Sequence, residues 1–396
     1  MKEEYTYYSE GKVKFLAPII NKEEIKHGFS PSKLPVFFNP KAKLSRDFSV
    51  IVVKILSKNF KEPIRICEPL AGCGIRTIRI LKEANNIEKA IVGDINPKAL
   101  EIIKHNIVLN KVENYVEAYN IDANYLLLSH AISRKKFHYI DIDPTGSPAP
   151  FLENAFKSLE KNGIIGFTAT DIAPLCGTYP KTCIRKYYAK PLRSPFSKEI
   201  ALRILIGFAA LIAARFELSF TPIISFFNEY YIRIFGKIDK GARKADKNLE
   251  KLGWVTYCKK CLHREVIEGI WSKIDYYCQF CNSKKDYAGP LWIGNTCDKN
   301  FCQEMLNEIE INENYFNNFS KAKKIIELLK GEVDYPPFYY VSHEISSYIK
   351  KPPPKLNYII EKIISKKFSA VLTHYDPKGF KTNAPLEVIL EVFRSY

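Results

Sequence analysis

The chain has 396 residues, 46% of them apolar and 26% charged. This is the make-up of a globular protein of two or three domains, and it excludes a low-complexity or fibrous chain. Lys and Arg outnumber Asp and Glu by 60 to 43, a formal net charge of +17 with a pI near 9.2, so an acidic partner is expected, nucleic acid first among them.

The opening Met1-Lys-Glu-Glu-Tyr5 has no apolar signal-peptide core, and a cytoplasmic protein is expected. Ten cysteines in such a chain point to thiols and metal ligation rather than a disulfide framework.

The first predicted strand is 63–68, Pro63-Ile-Arg-Ile-Cys-Glu68. It runs into Pro69-Leu-Ala-Gly72-Cys-Gly74, and residues 75–84 read as a helix. Glycines at 72 and 74 let a ligand approach the backbone where a side chain would block it. A dinucleotide fingerprint would place a third glycine at Thr77, so a cofactor without a pyrophosphate is expected. The next strand, 90–94, ends in Asp94, whose carboxylate can accept both hydroxyls of a ribose. A helix opens at 95–100 and continues through Asn106. Asp122 and Ala123 then precede 124–128, where an acidic side chain can meet the exocyclic amine of adenine. Taken singly, Asp94 or Asp122 reads equally well as a helix N-cap.

Residues 137–142 read as a short buried strand that delivers Asp143 to the sheet edge where open α/β sheets bind ligands. Pro144 forces Asp143 out of the helical region, so backbone geometry sets the direction of the carboxylate. Taken alone, this is also an ordinary Pro-Gly turn with a solvated Asp.

Residues 181–203 carry seven Lys or Arg against one Glu, interleaved with Tyr187, Tyr188 and Phe196. A polyanion site is the expectation there. The most apolar stretch, 200–220, contains Arg203, Arg215 and Glu217 and reads as a buried helix rather than a membrane span. Cys258-Lys-Lys-Cys261 and Cys278-Gln-Phe-Cys281 stand 16 residues apart, the two-knuckle spacing of a zinc ribbon. Four thiolates close a tetrahedral shell, so the Zn2+ would be structural, with His263 as a possible competing ligand. Cys297 and Cys302 have the wrong spacing for a second site.

Residues 301–310, 319–329 and 341–348 read as helices, the last ended by Lys350-Lys-Pro-Pro-Pro354. Residues 356–366 form an amphipathic basic helix, and 350–381 carry eight Lys against one Glu and one Asp, with Tyr358, Phe368 and Tyr375 among them. A helix, a stiff turn, a basic helix and a strand pair suggest a winged-helix-like nucleic-acid module. A scaffold packed on the rest of the protein is the other reading.

In order, strands, helices, glycine turn and acidic strand ends resemble class I S-adenosylmethionine-dependent methyltransferases. Specific segments extend the likeness over nearly the whole chain. They are Phe37-Phe-Asn-Pro40, Ser45-Arg46-Asp47, Glu68-Pro-Leu-Ala-Gly-Cys-Gly-Ile-Arg76, Gly93-Asp-Ile-Asn96, Asp141-Ile-Asp-Pro-Thr-Gly-Ser-Pro148, Thr168-Ala-Thr-Asp171, Leu175-Cys-Gly177, Glu199-Ile-Ala-Leu-Arg203 and Thr373-His-Tyr-Asp-Pro-Lys-Gly-Phe-Lys-Thr-Asn-Ala-Pro385. On these the chain resembles the tRNA (guanine-26-N2)-dimethyltransferases of archaea and eukaryotes.

The resemblance implies an α/β chain with a Rossmann-like methyltransferase sheet and N-terminal extension over 1–236. An α+β tRNA-binding domain with the zinc ribbon and a winged-helix-like tail would take 237–396. It also implies S-adenosylmethionine bound by Arg46, Glu68, Gly72, Gly74, Arg76, Asp94, Asp122 and Ala123, the two arginines on the methionine carboxylate. Asp143, with the Pro144 carbonyl, would hold the guanine amine. Thr145 departs from the family, which generally carries an aromatic residue there. A threonine cannot stack on a purine, so Phe37 or Phe38 is expected to do so. Two other readings stay open: methylation of another RNA amine (adenine N6 or an rRNA guanine N2), and a non-catalytic RNA-binding protein on the same fold.

Overall fold

The computed structural model describes residues 4–20, 31–311 and 319–396. The chain divides into two compact units. The first takes the described residues up to Ala169, Phe235–Asp239 and the described part of 304–323. The second takes Thr170–Ile234, Lys240–Gln303 and Lys324–Tyr396.

The first unit opens with a hairpin, β1 (Tyr5–Glu10) and β2 (Val13–Pro18), paired antiparallel. Helix α1 (Lys43–Lys58) precedes an alternating series: β3 (Ile64–Glu68), α2 (Ile75–Glu83), β4 (Ile87–Asp94), α3 (Pro97–Leu109), β5 (Val116–Asn120), α4 (Ala123–Ile132), β6 (Phe137–Ile142), α5 (Ala149–Ser158) and β7 (Leu159–Ala169). The central strands β3 and β6 are buried almost throughout, because helices cover a parallel sheet on both faces, whereas only Val116 of β5 is buried. They pair in parallel in the order β5-β4-β3-β6-β7. The chain builds outward from β3 to β5 and then returns to the other side of β3 with β6. The carboxyl ends of β3 and β6 therefore flank the switch point of the sheet, where open α/β sheets bind ligands.

The hairpin, absent from the sequence reading, is fastened by charge. Glu10 accepts from Arg46 Nε and Nη2 at 2.8 and 2.6 Å and from Arg79 Nη1 at 2.7 Å. Arg79 also donates to Asp47 at 2.6 Å and to Glu83 at 2.8 Å. All five side chains are buried. Burial works against the charged form of Glu10, but the guanidiniums of Arg46 and Arg79 outweigh it and hold its carboxyl at about 2.

In the second unit, α6 (Ile172–Leu175), α7 (Pro180–Tyr187) and α8 (Ser197–Ala214) lead to β8 (Leu218–Asn228). The helix expected over 200–220 thus ends at Ala214, and the chain turns back through Glu217 at φ +56°. Strand β9 (Tyr231–Lys240) completes the sheet order β5-β4-β3-β6-β7-β9-β8. The boundary expected at 236/237 falls within this strand. Next come α9 (Ala242–Leu249) and a three-stranded sheet of β10 (Leu252–Tyr257), β11 (Arg264–Glu268) and β12 (Asp286–Trp292), ordered β11-β10-β12. Helices α10 (Lys299–Ile311) and α11 (Phe319–Glu332) follow.

The tail runs β13 (Tyr340–Val341), α12 (Ser342–Ile349), α13 (Leu356–Ser365), β14 (Ala370–Leu372), β15 (Gly379–Thr382) and α14 (Leu386–Arg394), its strands ordered β13-β15-β14. The two helices on either side of the proline turn form as expected, while the expected strand pair is part of a three-stranded sheet and α14 is added. The expected basic stretches are partly internal. Glu199, itself buried, accepts from Arg203 at 2.9 Å and Lys381 at 2.8 Å. Tyr187, Phe196 and Tyr375 are also buried, which removes them from any polyanion surface. Among the described residues no helix is long and apolar enough to cross a membrane.

Replacing Glu10 with Gln leaves the buried Arg46 guanidinium without its carboxylate, and urea unfolding is expected to show a loss of about 3–5 kcal/mol. Because folding lowers the carboxyl from 4.5 to about 2, its contribution is complete above pH 4.5 and is lost as pH falls toward 2. The variant should lack that part of the acid dependence.

Candidate active site

The glycine turn forms as the sequence leads one to expect. Gly72 has φ +55° and Gly74, at the N-cap of α2, φ +74°. A Cβ on Gly72 would lie 2.7 Å from the Phe37 carbonyl oxygen, so the close approach here is by the protein's own segment. Asp94, at the end of β4, accepts from the Gly72 N–H at 2.8 Å and the Asn96 N–H at 2.9 Å. Its carboxylate fixes the turn to the next strand. Asn96 caps α3 through its side-chain oxygen and donates to the Pro35 carbonyl at 2.8 Å. Asp122, exposed, caps α4 with one oxygen on the Asn124 and Tyr125 N–H groups at 2.9 and 3.0 Å, and Ala123 is buried.

At the switch point, four charged groups converge. Arg76, one residue into α2, donates to Glu68 at the end of β3 at 3.0 Å and pairs with Asp143 just beyond β6. It lies 3.4 Å from Asp141 and donates to Ser49 Oγ at 2.8 Å. Ser49 in turn donates to Asp141 at 2.9 Å. The guanidinium is buried and stays charged because Asp141, Asp143 and Glu68 outweigh its loss of solvent. Glu68 is pushed up to about 7, first by burial, which Arg76 opposes and Asp141 reinforces. Asp143 is only partly buried, so its carboxylate is the member of the set that reaches the outside.

A cleft of about 30 Å³ opens beside this set. Its walls include Phe37, Asn39, Arg46, Glu68, Arg76 and Asp143. The two aromatic candidates separate here. Phe37 is 38% exposed at the cleft, whereas Phe38 is 3% exposed and packs on Tyr8 and Phe15 at 5.0 and 5.4 Å. Phe38 also lines the cleft, but as a buried side chain packed against the hairpin. Thr145 is exposed and Pro144 buried, with Gly146 at φ +104° completing the turn. Arg46 is committed to Glu10 and donates to the Asn39 carbonyl at 3.0 Å.

The sequence reading missed Asp141, Ser49, Glu10 and Tyr139, whose hydroxyl donates to Asp141 at 2.5 Å. One signal was present: an acidic residue inside the apolar strand 137–142 cannot be left unpaired in a core, and position 141 shares a face with 143.

In the second unit, the Sγ atoms of Cys258, Cys261, Cys278 and Cys281 all lie within 4.8 Å of one another. Two of the separations are 3.4 Å (258 to 281) and 3.5 Å (261 to 278). A tetrahedron with 2.3 Å metal–sulfur bonds needs about 3.8 Å between sulfurs, so the set fits one metal ion. His263 is not a member and packs on the Phe280 ring at 4.3 Å. Cys297 and Cys302 are buried thiols.

A parallel sheet with a glycine turn after its first strand, an acidic end on the second and an acidic Asp-Pro turn at the switch point defines an α/β methyltransferase-type site. Comparison with known proteins carries this to a family. Residues 11–394 match the model of the N2,N2-dimethylguanosine tRNA methyltransferases, and the chain belongs to that family. It is 37% identical over 394 residues to the tRNA (guanine(26)-N(2))-dimethyltransferase of Methanococcus maripaludis, covering 98% of each chain. It is 36% identical over 390 residues to the tRNA (guanine(26)-N(2)/guanine(27)-N(2))-dimethyltransferase of Aquifex aeolicus, covering 96% of this chain and 94% of that one. The solved complex of Trm1 from Pyrococcus horikoshii with S-adenosyl-L-methionine superposes with a TM-score of 0.86 at 33% identity, covering 98% of this chain and 99% of that one.

Proposed function

We propose that the protein is a cytoplasmic enzyme that methylates the exocyclic N2 of guanine 26 in tRNA, giving N2-methyl- and N2,N2-dimethylguanosine. The observation that carries this reading is Asp143, an acceptor fixed by Arg76 at the switch point and open to the cleft, in a chain similar over its full length to enzymes of that name.

The residues present fit S-adenosyl-L-methionine. Gly72 and Gly74 form the turn, Asp94 would take the ribose, and Asp122 with the Ala123 backbone would take the adenine edge. Arg46 and Arg76 would take the carboxylate, with Glu68 holding Arg76 in place. A guanidinium has five N–H donors, and Arg46 keeps some in reserve beyond its bonds to Glu10 and Asn39.

When bound, the cofactor supplies an electrophilic methyl group on a sulfonium. The guanine amine is a poor nucleophile because its lone pair is delocalised into the ring. Asp143 accepts one amino proton as a hydrogen bond and turns the nitrogen toward the methyl group, aided by the Pro144 carbonyl. With the cofactor in place, a methyl group passing from the sulfonium to N2 would leave the amino proton to Asp143 or to water. Most of the acceleration comes from alignment. Extruding the stacked base costs a few kcal/mol, offset by pocket contacts. Phe37 supplies the aromatic face that Thr145 lacks. The cysteine cluster holds Zn2+ as a closed structural site, since four thiolates leave no open position.

Mass spectrometry of nucleosides and of ribonuclease fragments from an unmodified tRNA transcript, treated with the protein and S-adenosyl-L-methionine, is expected to show both N2-methylated guanosines, in the fragment that holds position 26. N6-methyladenosine in their place would overturn the reading. Asp143→Ala should retain cofactor and tRNA binding while its rate falls about 10²–10⁴-fold, and near-normal turnover would remove Asp143 from the chemistry. Metal analysis should find one zinc per chain, lost in Cys258→Ser, and a folded metal-free parent would refute the ribbon.

A further inference from the structure

The second unit holds a cleft of about 850 Å³ that the methyl-transfer site does not use. That volume is within the roughly 300–1,000 Å³ of pockets that take nucleotide-sized ligands. The cleft is lined by residues of the first cysteine knuckle and by residues flanking the second, together with Lys190, Tyr257, Asp286 and Tyr287. Each knuckle closes with the same backbone bonds: Leu262 N–H to the Cys258 carbonyl and Asn282 N–H to the Cys278 carbonyl, both at 2.8 Å. The first knuckle carries Lys259 and Lys260, and Lys284 follows the second, its backbone bridged to Tyr277. These three lysines are exposed.

The remaining charged side chains that line the cleft have partners of opposite sign. Lys190 pairs with Asp286 at 2.7 Å and lies 3.6 Å over the Tyr287 ring. Lys285 is buried and pairs with Glu265 at 3.1 Å. The excess of Lys259, Lys260 and Lys284 is what an incoming anion meets. Beside them Tyr276 and Tyr277 are 48% and 60% exposed, and Trp271 in the preceding loop is 95% exposed. Apolar ring area is left in water next to positive charge.

Lysines alone would suit any acidic partner. Flat rings interleaved with lysines suit a strand whose charge and π-faces alternate at the same spacing, which is single-stranded nucleic acid. Duplex would leave the tyrosines unused, since its bases are stacked on one another. We propose that this cleft binds an unstacked nucleotide of the tRNA substrate, base on Tyr276 or Tyr277 and flanking phosphates on Lys259, Lys260 and Lys284. The proposal rests on the reading of tRNA as substrate. It assigns a binding site to the knuckles in addition to their metal.

The test is the affinity of the full-length protein for an unmodified tRNA transcript as a function of salt. Lys259→Ala/Lys260→Ala/Lys284→Ala should weaken binding at least about tenfold and reduce the salt slope by about 2, near 0.7 per single-strand phosphate. Tyr276→Ala/Tyr277→Ala should weaken binding about tenfold with the slope unchanged, and Tyr276→Phe/Tyr277→Phe should restore it. Zinc content and S-adenosyl-L-methionine affinity should match the parent in all three. Parental affinity and slope in both the lysine and tyrosine sets, in a protein that methylates the transcript, would overturn the cleft and leave the enzyme reading intact. A parent that neither binds nor methylates the transcript would instead sink the enzyme reading.

Discussion

The site depends on one buried guanidinium. Arg76 is shut away from solvent among Glu68, Asp141 and Asp143, one positive charge facing three carboxylates. Such a set folds only if its geometry is good and its excess charge is relieved. Hydrogen bonds from Ser49 and Tyr139 to Asp141 supply the first condition. The excess charge shows at Glu68, where burial pushes the carboxyl up to about 7 against the pull of Arg76. Glu68 and Asp143 come from the two strands on either side of the switch point, so Arg76 also ties the two halves of the sheet together at the place where a ligand enters.

A second buried set stands behind the first. Glu10, Arg46, Asp47, Arg79 and Glu83 join the N-terminal hairpin to α1 and α2. Arg46 belongs to this set and also lines the cleft. Arg79 is one helical turn beyond Arg76, so the helix that begins at the glycine turn is anchored by an arginine on each of its first two turns. The N-terminal hairpin is thereby fastened to the helix that lines the cleft.

Much of this was legible in the chain. Period, glycines and acidic strand ends gave the order of strands and helices, because each of those signals is local. The cysteine knuckles were legible for the same reason. What was not legible depends on pairing across distance. Glu10 finds Arg46 and Arg79 only after the hairpin has docked, so nothing in residues 5–18 announced it. Arg203 and Lys381 counted toward a basic surface but are buried on Glu199, since net charge carries no information about burial. Phe37 and Phe38 were equivalent as letters. Only the fold leaves Phe37 exposed at the cleft and buries Phe38 in its wall.

The central claim is that Arg76 and Asp143 act as one unit at the switch point. It is tested most directly by single-turnover methyl transfer at saturating S-adenosyl-L-methionine and tRNA in Arg76→Lys, Asp143→Asn and the double variant. A lysine keeps the charge but cannot span Glu68, Ser49 and Asp143 at once. The account predicts folded proteins, a fall of about 100-fold or more in each single variant, and a double variant no slower than the worse single. A parental rate in Arg76→Lys, or losses that multiply in the double variant, would contradict it.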